Sequence, residues 1–179
     1  MNTNFKLWLT IGLTFVLIST SLQAKSKVEI LGDIIQIALP LYTLGRLGYE
    51  KDTQSQMEFL KSIGATVAIT QVLKRATHIQ RPDGSDFRSF PSGHTSAAFA
   101  GASFLHTKYN NPYQNIIAYS LASYVGYSRV YAQKHHIGDV LAGGVLAYGI
   151  NAYFVNPKYT TAQIQISDKK KFISVSFWK

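Results

Sequence analysis

The chain has 179 residues, with 18 lysines and arginines against 9 aspartates and glutamates, a formal net charge of +9, and no cysteine. The missing cysteines exclude a disulfide-stapled miniprotein, a thiolate metal site and a cysteine nucleophile. With 46% hydrophobic and 15% charged residues, the composition argues against disorder and predicts one core of ordinary domain size.

The first 24 residues carry one charged side chain, Lys6, ahead of a mostly apolar run over 7–18 and a small, polar finish ending at Ala24. This pattern predicts a secretory signal peptide. Leu22 is larger than the residue preferred three places before a cut after Ala24, so an uncleaved anchor is the alternative. Either way the chain is expected to be exported, to the periplasm or to an inner membrane facing it. Residues 25–157 then form the main domain and 158–179 a basic tail.

Five apolar segments, at 28–47, 57–77, 93–107, 112–127 and 137–155, are separated by short polar breaks and predict an all-α helical bundle. Asn111-Pro112 and Asn156-Pro157 mark boundaries, because the residue before a proline is disfavoured in the helical region. Several segments approach the roughly 20 residues that cross a bilayer. Their interruptions by Asp33, Lys61, Gln114, Asn115, Ser120, Asp139 and Asn151 tilt the balance slightly towards the core helices of a soluble bundle. Closely spaced Gly and Ala would equally permit tight helix contacts within a membrane. Beyond them, residues 163–167 and 172–177 alternate polar with apolar and predict a C-terminal hairpin.

Charge is distributed unevenly, and that is the main clue to chemistry. Between Phe87 and Ser167 there is a single carboxylate, Asp139, inside an apolar segment. A lone buried acid needs a partner, and His135 stands four residues earlier, on the same face if the segment from His135 onward is already helical. Asp139 would fix one imidazole nitrogen and leave the other free as a base, a metal ligand or a nucleophile. Arg129, six residues before His135, argues against a metal, since cations beside a histidine oppose metal binding and suit an anionic substrate.

A second cluster, Pro91-Ser92-Gly93-His94, directly precedes a helix. Ser92 offers a hydroxyl, Gly93 a close backbone approach, and the exposed N–H groups of the helix start an anion site. His94 is a candidate proton donor to a leaving group. The third cluster, Lys74 with Arg81-Pro82, adds two cations, the arginine as a fork for phosphate oxygens and the lysine as a point charge.

Lys74-x6-Arg81-Pro82, Pro91-Ser92-Gly93-His94 and Ser128-Arg129-x5-His135-x3-Asp139 together resemble the three-part signature of the type 2 phosphatidic acid phosphatase superfamily. That superfamily also holds bacterial non-specific acid phosphatases and vanadium haloperoxidases. The resemblance covers about 28–155 and implies a helical bundle of the acid phosphatase and haloperoxidase type. It implies hydrolysis of a phosphate monoester or diphosphate, a lipid phosphate being favoured, through a phosphohistidine and with no metal or other cofactor. Carried over by motif, His135 attacks phosphorus, Asp139 orients it and His94 protonates the leaving oxygen. Lys74, Arg81, Ser92, Gly93 and Arg129 hold the phosphoryl oxygens.

Alternatives are a lipid phosphotransferase on the same fold, a vanadate-dependent oxidation catalyst and a non-catalytic envelope protein that binds anionic lipid. The tail, with five lysines against one aspartate over its last 23 residues, suits either a solvated surface or an anionic membrane. Nucleic acid is not an expected partner, because no recognised binding module is present. His78, His106 and His136 have no place in any motif and are expected to be bystanders.

Overall fold

The computed structural model describes residues 25–157 and, as backbone alone, two strands beyond them. The leader expected at 1–24 and the charged positions of the tail lie outside the described residues. Five helices follow in order: α1 (Lys27–Tyr49), α2 (Thr53–Thr77), α3 (Gly93–Tyr109), α4 (Pro112–Tyr131) and α5 (Ile137–Phe154). The strands β1 (Gln163–Ser167) and β2 (Phe172–Ser176) come after them and pair antiparallel, with Ile164 opposite Val175.

All five helices expected from the sequence are present, and local chemistry explains where their ends moved. The start of α2 falls four residues ahead of the expected one because Asp52 caps it, accepting from the Ser55 N–H at 3.0 Å and the Ser55 hydroxyl at 2.7 Å. Asn111 caps α4 by accepting from the Gln114 N–H, and Pro112 fills the first helical position, where a missing N–H costs nothing.

The central element is α3, which packs against all four other helices. They surround it in the order α1, α4, α5, α2. Small residues on every side make this possible: Ala98, Ala100, Gly101, Ala102 and Ser103 are all buried, so neighbouring backbones approach closely from several directions. Phe59 and Phe104 meet edge to face with centroids 4.9 Å apart, adding about 0.5–1.5 kcal/mol to their burial. At the end away from α3's start, the nearly buried Lys108 bonds Glu58 at 3.2 Å and the Asn156 carbonyl at 3.1 Å, joining α2, α3 and the chain after α5.

Much of the polarity is inside and much of the apolar bulk outside. Thr43, Ser62, Thr66, Thr70, Ser96, Ser103 and Asn151 are buried, whereas Ile30, Ile34, Ile37 and Leu41 of α1, Ile116 and Ile117 of α4, and Leu141 and Val145 of α5 are exposed. Asn151 shows how the interior is satisfied. It accepts from the Ser62 hydroxyl and donates to the Ala100 carbonyl and the Ser103 hydroxyl, linking α5, α2 and α3. Helices α1 and α5 are each long and apolar enough to cross a membrane. A water-soluble bundle would bury these isoleucines and leucines, so the slight preference for one drawn from the sequence does not survive. Lipid suits such a surface better than water does.

Candidate active site

The three motifs converge at one end of the bundle, around the start of α3. Lys74 reaches it from the last turn of α2, and Arg81 and Ser89 from the α2–α3 loop. Ser92, Gly93 and His94 lie at the start of α3, Arg129 near the end of α4, His135 in the α4–α5 turn and Asp139 in the first turn of α5. The loop is clasped to the turn. Asp83 N–H donates to the Gln133 carbonyl, Lys134 Nζ lies 2.6 Å from Asp83, Arg81 donates to the Lys134 carbonyl at 3.2 Å, and Ser92 N–H donates to the Asp139 carbonyl at 2.9 Å. Segments distant in sequence are thereby held in one register.

Two adjoining cavities result. The larger, about 440 Å³, is lined by Lys74, Arg81, Gly93, His94 and His135, together with Thr70, Gln71, Ser96 and Gln36 of α1. The smaller, about 210 Å³, shares Arg81, His94 and His135 with it and adds Arg129, Lys25, Glu29 and Lys134. Two expected contacts lie behind these walls. Asp139 is 3% exposed and sits beneath His135, and Ser92 is fully buried, its hydroxyl accepting from Thr95 at 2.9 Å. Ser92 makes no side-chain capping bond to α3, which leaves the helix's first turn to be satisfied by an anion. A Cβ on Gly93 would meet Lys74 Cε at an ordinary 3.7 Å, so the glycine keeps space open beside the lysine and relieves no clash.

Each of the three cations has an internal acceptor. Lys74 Nζ donates to the Arg88 carbonyl at 2.7 Å, Arg81 Nε pairs with Asp86 at 2.7 Å, and Arg129 Nη1 lies 2.8 Å from Asp33 while its Nη2 donates to the Glu29 carbonyl at 2.8 Å. An incoming phosphate would share or displace these partners, and the cradle does not rest on unpaired buried charge.

The last helix begins at Ile137, so His135 precedes it and does not share its face, and His135 Nδ1 stands 3.6 Å from Asp139 Oδ2, too long for a hydrogen bond. That carboxylate oxygen already accepts from the His136 N–H at 2.8 Å and from the Ser89 hydroxyl. Ser89, fully buried, therefore fixes the acid that faces His135, a part that the sequence left in an unassigned loop. Asp139 on the Nδ1 side leaves Nε2 as the free nitrogen. Burial, aided by the Lys74 and Arg81 charges, pushes the His135 imidazole well below the usual histidine range, with Asp139 opposing. A depressed value means that the ring stays neutral as pH falls below about 6.5, the ordinary histidine value. Nitrogen NMR of the histidine-labelled protein is expected to show His135 uncharged at pH 5.5; a charged His135 there would refute this.

The sequence also missed the contribution of α1. Glu29, Asp33 and Gln36 recur at spacings of four and three, one stripe of a helix, and all three face the site. Asp33 Oδ1 lies 3.2 Å from His94 Nε2 as well as 2.8 Å from Arg129, and its Oδ2 bonds Lys25 at 2.7 Å. The signal was present in the spacing, but in the sequence Asp33 reads as an interruption of an apolar run. The histidines outside the motifs do face other groups: His136 Nε2 lies 3.1 Å from the Gln80 carbonyl and His106 Nδ1 3.0 Å from the Tyr119 hydroxyl. Among the described residues no group of three or more His, Cys, Asp or Glu could hold a metal ion.

Close approach of α5 to α3 keeps the start of α3 in place. A Cβ on Gly143 would come within 2.7 Å of the Ser92 carbonyl and 2.9 Å of the Ser96 hydroxyl, and backbone cannot yield cheaply. Gly143→Ala is expected to cost about 1–3 kcal/mol and to lower turnover by shifting Ser92 to His94. Thermal melting in detergent, with turnover measured well below the melting point, checks both effects.

The fold and the cavities define a helical bundle with cations and two histidines lining adjoining cavities at one end. The model of the PAP2 superfamily matches residues 9–160, and the chain belongs to that superfamily. A lipid A 1-phosphatase of Porphyromonas gingivalis is 31% identical over 124 residues, covering 66% of this chain and 28% of the relative. The chain thus spans less than a third of that protein's length. Among solved structures, Aquifex aeolicus LpxE superposes with a TM-score of 0.61 at 20% identity over 74% of this chain and 88% of its own. A transmembrane PAP2-type phosphatidylglycerolphosphate phosphatase of Bacillus subtilis superposes with a TM-score of 0.54 at 24% identity over 82% of this chain and 94% of its own.

Proposed function

We propose that this protein is a membrane phosphatase that removes phosphate from a phosphorylated lipid through a phosphohistidine intermediate. One observation carries the reading. His135 and His94 face the same cavity, with Lys74 and Arg81 on its wall, inside a bundle whose outer surface is apolar. An amphiphile could lay its tail along that surface with its phosphate in the cradle. The superfamily, and the phosphatase names of its relatives, support the same class of reaction.

In this mechanism His135 Nε2 attacks phosphorus while the bond from phosphorus to the ester oxygen breaks. His94 gives its proton to that oxygen, so the alcohol leaves neutral. Lys74, Arg81, Arg129 and the first turn of α3 carry the phosphoryl charge. Asp139 faces the Nδ1–H and stabilises the positive charge the ring acquires. Water then gives a proton to His94 and attacks phosphorus, the P–N bond breaks, and inorganic phosphate leaves with both histidines restored.

The purified protein in detergent, with EDTA present, is expected to release phosphate from at least one of phosphatidic acid, phosphatidylglycerol phosphate, undecaprenyl diphosphate and lipid A. No release from any of these, or a His135→Ala variant as active as the parent, would defeat the proposal. Labelled donor found in a second lipid instead of in inorganic phosphate would mark a phosphotransferase.

A further inference from the structure

The acid role assigned to His94 raises an electrostatic problem that α1 answers. His94 is only partly exposed and faces Arg129 and Lys25 across the smaller cavity, with Arg81 beside it. Burial first, and then the Arg129, Lys25 and Arg81 charges, hold this ring below the usual histidine range and resist the proton it must donate, with Asp33 opposing them. Among the described residues the carboxylate in contact with it is Asp33, whose Oδ1 lies 3.2 Å from Nε2. That oxygen is shut off from solvent and, although 3.2 Å from His94 Nε2 and 2.8 Å from Arg129 Nη1, takes no well-aligned hydrogen bond. It is therefore an under-satisfied acceptor within reach of the imidazole. Lys25 grips the other oxygen at 2.7 Å and fixes the plane of the carboxylate.

We infer that Asp33 is the positioning residue of His94, as Asp139 is of His135. It orients the imidazole towards the leaving oxygen and supplies the negative charge that lets the ring hold its proton among Lys25, Arg81 and Arg129. The site is then built from two histidine–aspartate pairs. One, between the α4–α5 turn and the first turn of α5, serves the nucleophile, and the other, spanning α1 and α3, serves the acid. Asp33 stays ionised throughout. The proton passes from His94 to the leaving oxygen and returns from water, so no further reactant is needed.

The inference rests on the phosphatase reading but is tested separately from it. A merely structural Asp33, holding Arg129 in place, would matter equally for every substrate. A carboxylate acting through the acid would matter only where the leaving oxygen needs a proton. In Asp33→Asn, turnover of a lipid or alkyl phosphate is expected to fall about 100-fold or more. The pre-steady-state burst of nitrophenolate from nitrophenyl phosphate, whose leaving group departs unaided, should change less than about tenfold. In a His94→Ala background Asp33→Asn should have no further effect on the alkyl substrate. Independently of turnover, the NMR titration midpoint of His94 should move to lower pH in Asp33→Asn, because a neighbouring carboxylate favours the charged ring. Equal losses for both substrates, an additive double mutant, or an unmoved midpoint would each overturn the inference. If Asp33→Asn does not fold, Asp33→Glu, which keeps the charge and displaces it, carries the same comparison. An inactive parent would refute the phosphatase reading alone, leaving the titration to decide the role of Asp33.

Discussion

His135→Ala is expected to abolish phosphate release, by about ten-thousand-fold or more, because no other side chain can replace a covalent nucleophile. The variant should still fold. His135 Nδ1 has no hydrogen-bond partner among the described residues, so truncation breaks no strong bond, and Asp139 keeps its bonds from the His136 N–H and Ser89. Melting near that of the parent together with lost turnover is the expected pair of results. Phosphate release within tenfold of the parent would remove His135 from the chemistry. Acid-labile label on the parent after brief exposure to labelled substrate, and none on the variant, would place the phosphoryl group on this ring.

The second large effect falls on Arg129, which serves both stability and the site. The residue is 3% exposed and joins α4 to α1 through Asp33, the Glu29 carbonyl and the Ser128 hydroxyl. Helix α1 reaches it because Gly32 has no side chain; a Cβ there would fall 2.0 Å from Ser128 Oγ. Arg129→Met keeps most of the bulk and removes the charge. It leaves Asp33 with its exposed Lys25 partner and takes the arginine donor from the Glu29 carbonyl, a defect of about 1–3 kcal/mol, and it removes a cation from the cradle. Both the melting temperature and turnover should fall, turnover by 100-fold or more on the scale of losing one transition-state contact. Arg129→Lys should recover only part, since one ammonium cannot meet Asp33 and the Glu29 carbonyl with the arginine's fixed fork. Full recovery with lysine would show that charge alone matters there.

These two residues were legible in the sequence for different reasons from the parts that were not. His135, His94, Lys74, Arg81 and Arg129 stand in short motifs whose order and spacing carry chemical meaning, and the helices between them follow from apolar runs with polar breaks. Asp33 and Ser89 act through contacts with residues 61 and 50 positions away, which no local pattern encodes. The inside-out arrangement was hidden as well. A helix with serine and threonine on one face and isoleucine on the other has the same periodicity whichever side faces its neighbours, so only the positions of the other helices settle the direction.

The central position of α3 has a consequence for how this chain can vary over evolutionary time. Its small residues lie against four neighbours, so a methyl group gained at Gly101 presses on the Leu39 and Pro40 backbone, and its first turn lines the proposed anion cradle. The outer faces of α1, α4 and α5 require only that a side chain be apolar, and leucine, isoleucine, valine and phenylalanine are interchangeable there. Sequence drift should therefore be fast on the outside and nearly frozen at the axis, with amino-acid size the frozen quantity in the middle of α3 and chemical identity the frozen quantity at its start.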